Sequence, residues 1–386
     1  MNLYRVHNFE GGSMKKFTLV LLLTVLAASL VSAQDIKIGG VGPVTGEAAT
    51  FGVSTKNGMT MAAEEWNAKG GVFNGRKVKL IFEDDKGDPA EGATVYTKLI
   101  QQDGVVAIVG TVMSKVTLAG APIAQANGIP MISPTSTNEK VTLVGDYIFR
   151  ACFIDPFQGT VGASFAYKDL KAKKAAAIFD LGNDYTKGLA ENFKATFEKL
   201  AGKGSVVAYE GHPSGATDFK AQLTKILSAK PDVIYIPDYY NDVGLIAKQV
   251  RELGFKGPLV GGDGWDSPDL VKIGGTAVEN GFFTNHYSPE DTRPIVQDFV
   301  KKYKAKFGAE PDALAALGYD AMYIMLDAIK RAGSTKGTAI RDAIAKTDIN
   351  VVSGRVTFDA NRNPVKSAVI IEIKNGKQVY KTTVNP

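Results

Sequence analysis

Two clusters of small hydroxyl residues follow short apolar runs in this chain: Ser114 after "VVAIVG", and Ser133 to Thr137 after "GIPMI". Hydroxyls and free backbone N–H groups at strand ends suit an anion. No glycine-rich phosphate cradle surrounds them, and no base stands beside either serine. The pattern fits holding a group rather than transforming one.

The motifs of common enzyme chemistry fail on inspection. After "DIKI" the run is Gly40-Val-Gly42-Pro-Val-Thr45, with threonine where a dinucleotide fingerprint needs its third glycine. Pro43 also removes a backbone donor. No phosphate loop ending in Gly-Lys-Ser/Thr occurs, and "GASFA" lacks the last glycine of a nucleophile elbow. Only three histidines are present, His7, His212 and His286, which leaves little for general-base catalysis or a histidine metal site. Glu83, Asp84 and Asp85 read as a solvated strand end turning into Asp88-Pro89, since no further ligands follow at metal spacing. The single cysteine, Cys152, lies in "YIFRACF" and reads as a small buried hydrophobe. No metal or cofactor is expected.

The elements that must carry these residues alternate. "DIKIGGV" is a strand, "FGVSTKNGMTMAAEEWNAKGG" a helix, "RKVKLIFEDD" a strand, and "VVAIVG" and "IPMIS" are strands separated by the helix "SKVTLAGAPIAQANG". Short apolar runs alternating with helical periods imply parallel sheets in βαβ units. "VVAIV" lacks polar alternation, as a strand covered on both faces should. The pattern restarts at "KAAAIFDLGNDYTKGLAENF" and continues to "GPLVGGDG"; Phe219, Leu223 and Ile226 mark one helix face there. The fold class expected is α/β, with two doubly wound parallel-sheet lobes. Three successive helical stretches after Phe283 cannot complete a third sheet and should pack back on the first lobe, so the chain crosses between lobes more than once. "GRVTFD" and "SAVIIEIKNGKQVYKTTV" close the chain as strands, the last pair joined by an Asn375-Gly376 turn.

The 386 residues, 45% hydrophobic and 22% charged, suffice for two cores. "MKKFTLVLLLTVLAASLVSAQ" reads as a secretory signal peptide cleaved after Ala33, because its apolar run is short and broken by Thr24 and Ser29. Residues Met1 to Ser13 precede it, and Met14 is the expected start; a translated extension is the alternative. Lys and Arg are interspersed with Asp and Glu at a net charge of +5, which gives nucleic-acid binding little support.

An exported two-lobe chain carrying "IKIGGVGPVTGEAATFG", "NAKGGVFNGRKVKLIFEDDKGDP", "IPMISPTSTN" and "FDLGNDYTKGLAENF" in this order resembles the branched-chain amino acid binding proteins. These are periplasmic substrate-binding subunits of ABC importers with the type I periplasmic-binding fold. The resemblance runs from about Asp35 to the C-terminus. It implies an apolar α-amino acid held between the lobes, a membrane ABC permease as partner, a periplasmic monomer, and no reaction.

By position, Ser114 and Thr137 match the carboxylate donors, and the Thr135 carbonyl and the Asp263 carboxylate match the ammonium acceptors. Phe51, Tyr185 and Tyr239 match cleft aromatics, and Trp265 could reach the ligand side chain or pack in its lobe. Ser114 would open a helix, whose free N–H groups and dipole suit a carboxylate without any arginine. Each residue also has an ordinary structural use, Ser114 as a helix cap and 135–137 as a polar turn. Two departures from the family stand out: glutamate is replaced by Asp263, and a cysteine pair by Gly87 and Met113. An amide, a urea or an aromatic carboxylate is the alternative ligand class, and a secreted α/β enzyme a more remote one. The expected lobes are 34–154 with 285–364, and 155–284 with 365–386, hinged near Cys152–Pro156, Gly281–Asn285 and Asn361–Ser367.

Overall fold

The computed structural model describes Met1 and residues 34–385. The expected signal peptide falls on residues 14–33, outside the described residues. Among the described residues no helix is long and apolar enough to cross a membrane.

The first lobe is built on a parallel sheet ordered β2-β1-β3-β4-β5, from β1 (Ile36–Gly42), β2 (Val78–Asp84), β3 (Ala107–Val109), β4 (Met131–Ser133) and β5 (Ile148–Arg150). Every pairing in it is parallel, and the central β3 and β4 are buried throughout, which is why their sequences are uninterrupted and apolar. Helices α1 (Ala49–Ala68), α2 (Pro89–Lys98) and α3 (Ser114–Ala126) supply crossovers. Asp88 caps α2 by accepting from Ala90 N at 2.8 Å and Glu91 N at 3.0 Å, with Pro89 pre-set for the first turn. A short helix, α4 (Lys140–Leu143), precedes β5.

The second lobe has a seven-stranded sheet, β14-β13-β10-β9-β8-β6-β7. Its parallel part is β6 (Ala175–Asp180), β7 (Val206–His212), β8 (Val233–Ile236), β9 (Leu259–Gly261) and β10 (Gly281–Asn285). Its helices are α5 (Asp155–Lys168), α6 (Asp184–Ala201), α7 (Lys220–Ser228), α8 (Tyr240–Glu252) and α9 (Pro268–Gly274). The C-terminal hairpin, β13 (Ala368–Lys374) and β14 (Lys377–Val384), joins antiparallel to β10. Its turn uses left-handed Asn375 (φ 54°) and Gly376 (φ 68°), as the Asn-Gly pair demands.

Helices α10 (Pro294–Phe307), α11 (Ala313–Ala332) and α12 (Gly337–Ala345) return to the first lobe, where Met325, Ile329 and Ile340 share a core with Ile38, Met59 and Ala62. Helices α1 and α11 approach closely at two glycines. A Cβ on Gly58 would lie 2.0 Å from the Ala315 carbonyl oxygen, and one on Gly318 would lie 2.4 Å from that of Thr55. Backbone contact this tight fixes the N-terminal turns of both helices, which carry Phe51, Leu314 and Leu317.

Three sequence expectations need correction. Gly281–Asn285 is not a hinge: it is β10, buried throughout and hydrogen-bonded to β9 and β13, so the chain leaves the sheet only at His286. Strand β11 (Asp348–Val351), paired with β12 (Gly354–Thr357), was not expected, because its four residues are short of an apolar run, with Asp348 and Asn350 exposed. Asp85 is not solvated. It is fully buried, accepts from Gly87 N at 2.9 Å and from the Thr111 hydroxyl, and burial pushes its carboxyl up to about 6. Alternation at the end of β2 turns Asp85 inward while Asp84 faces out to bind Val44 N at 2.9 Å. Cys152 is buried and forms no disulfide, its thiol pushed up to about 12 by burial.

The α1–α11 contact yields a prediction. Gly318→Ala should lower the unfolding free energy by at least about 2 kcal/mol through overpacking. Urea denaturation checks it; an unchanged midpoint would show that the helices separate at no cost.

Candidate functional site

The hydroxyl clusters serve two purposes. Ser133 donates to the Thr111 carbonyl at 2.9 Å, Ser136 to the Val112 carbonyl at 3.0 Å, and Thr135 to the same carbonyl at 2.9 Å. These bonds stitch the loop after β4 to the loop after β3. Ser114 is left for other work. It is the first residue of α3, so its N–H has no intrahelical carbonyl to reach, and its Oγ accepts only a long 3.3 Å bond from Asn138 N.

Opposite this helix start stands Asp263, at the head of a 3-10 turn (Asp263–Trp265) that follows β9. Gln158 Oε1 accepts from Asp263 N at 2.7 Å and fixes the backbone. Tyr185 donates its hydroxyl to Asp263 Oδ1 at 2.8 Å, and His286 Nε2 lies 2.8 Å from Oδ2. The Asp263 side chain is 11% exposed and faces a cavity of about 380 Å³, part of it open to solvent.

Aromatic rings close the cavity. Tyr185 stacks on Tyr239 with centroids 5.1 Å apart and planes 6° off parallel, and Phe51 meets Tyr239 edge-on at 5.8 Å. Burial raises the phenols of both tyrosines, which keeps them as neutral donors. Phe51 comes from the first lobe and both tyrosines from the second, so the lobes are apposed. Further bonds cross the same gap: Tyr240 OH to the Glu47 carbonyl at 2.6 Å, Asn138 Nδ2 to the Asp184 carbonyl at 2.9 Å, and Ala313 N to Asp266 Oδ2 at 2.8 Å.

Six of the eight residues expected from sequence line this one cavity: Phe51, Ser114, Thr135, Tyr185, Tyr239 and Asp263. Thr137 does not line it. It is buried just behind, its Oγ1 lacks a hydrogen-bond partner among the described residues, and its carbonyl accepts from Asp155 N at 3.0 Å. Trp265 belongs to the core. It is fully buried and donates Nε1 to the Ile236 carbonyl at 2.8 Å, because a 3-10 turn of three residues carries it about two-thirds of a turn away from Asp263.

Sequence reading missed Val112, Gly264, Asn285, His286, Leu314 and Leu317, which complete the lining. Asp155 was also missed: both its carboxylate oxygens are buried without a completed bond beside Thr137, and burial raises its pKa well above the usual carboxylate range. Among the described residues, no group of three or more His, Cys, Asp or Glu is gathered in a way that could hold a metal. The cavity offers an N–H-rich helix start with a hydroxyl on one side, a carboxylate on the other, and apolar walls between. Those features suit a molecule bearing one anionic group, one cationic group and an uncharged side chain.

Comparisons with known proteins bear on the family and the fold. A family model described as periplasmic binding protein matches residues 35–378. The chain is 34% identical over 336 residues to Leu/Ile/Val-binding protein homolog 3 of Brucella melitensis, covering 86% of this chain and 88% of that protein. Among solved structures, it is similar to the leucine-binding protein LivK of Thermotoga maritima, with 42% identity, a TM-score of 0.86, and coverage of 91% of this chain and 99% of the other. It is also similar to the branched-chain amino acid transporter substrate-binding protein LivJ of Streptococcus pneumoniae, solved in complex with isoleucine, with 35% identity, a TM-score of 0.86, and coverage of 91% and 100%.

The placement of Trp265 can be tested. Trp265→Phe should cost about 2 kcal/mol of stability, from lost packing and an unpaired Ile236 carbonyl, while leaving ligand affinity within about twofold. Urea denaturation and calorimetry measure the two. A large loss of affinity at unchanged stability would return Trp265 to the cavity.

Proposed function

The chain belongs to the periplasmic binding protein family, and we propose that it is the substrate-binding subunit of an ABC importer, capturing an apolar, branched-chain-type amino acid between its lobes. One observation carries the reading: the free N–H and hydroxyl of Ser114 and the carboxylate of Asp263 face one cavity from opposite lobes. The ligand carboxylate takes the start of α3, with Thr137 as second donor once the ligand is seated. The ammonium takes Asp263 and the Thr135 carbonyl. Charge-assisted bonds to groups this largely covered each contribute roughly 1.5–3 kcal/mol.

Phe51, Leu314, Leu317, Tyr185 and Tyr239 leave the side chain an apolar pocket with no further charge. A lysine or glutamate side chain would bury a second, unpaired charge there. A carboxylate lacking an ammonium would face Asp263 uncompensated, which disfavours aromatic acids. The Ser114 hydroxyl is hydrogen-bonded to no base, its one bond being accepted from Asn138 N, which supports a ligand held and released unchanged. The leader ending at Ala33 would direct export. The loaded monomer would then be presented to a membrane permease.

Asp263→Asn should weaken binding of leucine or isoleucine by at least about tenfold, equivalent to roughly 1.4 kcal/mol. Calorimetry checks it, with a thermal melt to confirm folding; unchanged affinity would remove Asp263 from ammonium recognition.

Because the ligand touches groups from both lobes, it stabilises only the apposed arrangement and must shift the population toward it. Small-angle scattering should show a smaller radius of gyration with saturating leucine than in protein stripped of ligand. Superimposable curves would rule out coupled closure.

A further inference from the structure

His286 is the first residue beyond β10, and its imidazole is buried. Its Nε2 lies 2.8 Å from Asp263 Oδ2, and its ring stacks on Phe153 with centroids 3.6 Å apart and planes 25° off parallel. Phe153 belongs to the crossover between β5 and α5, and is itself buried. Nδ1 of His286 is buried and has no partner among the described residues. A carboxylate can only accept, so Nε2 must carry the proton of a neutral imidazole and Nδ1 must be bare. The tautomer is therefore dictated by Asp263.

We propose that His286 is a positioning residue for ammonium recognition: its Nε2–H aims the Asp263 carboxylate into the cavity, and a second proton on Nδ1 abolishes ligand capture. The inference rests on the reading of Asp263 as the ammonium acceptor. Asp263 is one methylene shorter than the glutamate expected from the family resemblance. A short side chain held at both oxygens, by Tyr185 on one and His286 on the other, has its position set from outside. Tyr185 shares the second lobe with Asp263, and His286 directly follows β10 of that lobe.

The charge logic follows from the groups around the ring. Asp263 faces it from the 3-10 turn, Lys366 from the crossover before β13, and uncharged Asn285 and Phe153 from β10 and the first crossover. Beyond Asp263 stand the Tyr185 hydroxyl and the Asp155 carboxyl. Burial holds the His286 pKa below 6.5; the bond to Asp263 opposes this and Lys366 adds to it. Neutral His286 leaves the full Asp263 charge to the ligand. A protonated ring pairs with that charge, and an arriving ammonium must then displace the proton. Affinity should be flat above pH 6.5 and fall below the His286 pKa of the free protein, by no more than about tenfold per pH unit for one proton released.

Leucine calorimetry from pH 7.5 down to pH 4.5 on the native protein, His286→Phe and His286→Gln tests this. The phenyl ring keeps the stack on Phe153 but donates nothing, and should weaken binding at least about fivefold at pH 7.5. The glutamine amide can donate in place of Nε2 but does not titrate; it should recover part of that loss and abolish the acid-side fall. A native acid-side fall in His286→Gln, or native affinity in His286→Phe, would overturn the proposal. A second measurement needs no ligand. Long-range 1H–15N spectra of the ligand-free protein, assigned with His286→Gln, should show His286 as the Nε2–H tautomer titrating below pH 6.5. The other tautomer, or titration above that pH, would overturn the clamp. Failure of the native protein to bind any α-amino acid would instead strike at the proposed function, with the spectra still deciding the clamp.

Discussion

A carboxylate withdrawn from water is the constraint around which this molecule is arranged. Asp263 is almost fully covered, yet its two oxygens accept from only one donor each, Tyr185 and His286. A buried charge left so lightly satisfied is costly unless something cationic completes it. Lys366, a buried cation of the last crossover, is committed elsewhere: its Nζ donates to the Ala151 carbonyl at 2.9 Å and to the Ser353 hydroxyl. Asp263 is thereby kept short of compensation within its own chain. That deficit is what a ligand's ammonium can fill.

The opposite pole is made from backbone rather than from a charged side chain. An arginine at the start of α3 would bind a carboxylate more strongly, but it would also pair with Asp263 across the cavity. A helix start offers directed N–H groups and a partial positive charge without that risk. Its placement depends on the loop hydroxyls of Ser133, Thr135 and Ser136 and on buried Arg150, which donates to the Ser136 carbonyl at 2.6 Å and the Asn138 carbonyl at 2.8 Å. The strand-end loops are thus scaffolding, from which only the hydroxyls of Ser114 and Thr137 are largely released.

How much of this could be read from sequence follows from what each signal encodes. The alternation of apolar runs and helical periods carried both sheets, because parallel strands buried on two faces must be apolar throughout. The hydroxyl clusters announced a polar pocket, though nothing in their composition separates Ser114 from the residues that brace it. Trp265 misled because proximity in sequence to Asp263 says nothing of direction, and a 3-10 turn sends the two apart. Leu314 and Leu317 were invisible for the opposite reason: on a helix buried along nearly its whole length, a leucine facing a cavity has the same spacing as one facing the core. His286 was passed over because scarce histidine argued against catalysis. A single imidazole is enough to hold a carboxylate.

The crossovers complete the argument, since they decide what may move. Lys366 ties the last crossover to Ala151 at the start of the first, and Ser353 links it to buried Asp320 of α11. Their first-lobe ends are therefore locked to one another. The second-lobe ends meet at the Phe153–His286 stack, one ring from each of two crossovers, directly beneath Asp263. On the proposed closure, the lobes would part at the few residues between these two sets of contacts, Cys152 to Ile154 in the first crossover among them. Any rotation there must slide the Phe153 ring over the His286 imidazole or carry both along. On the proposed reading, the imidazole that holds Asp263 is also part of the joint between the lobes.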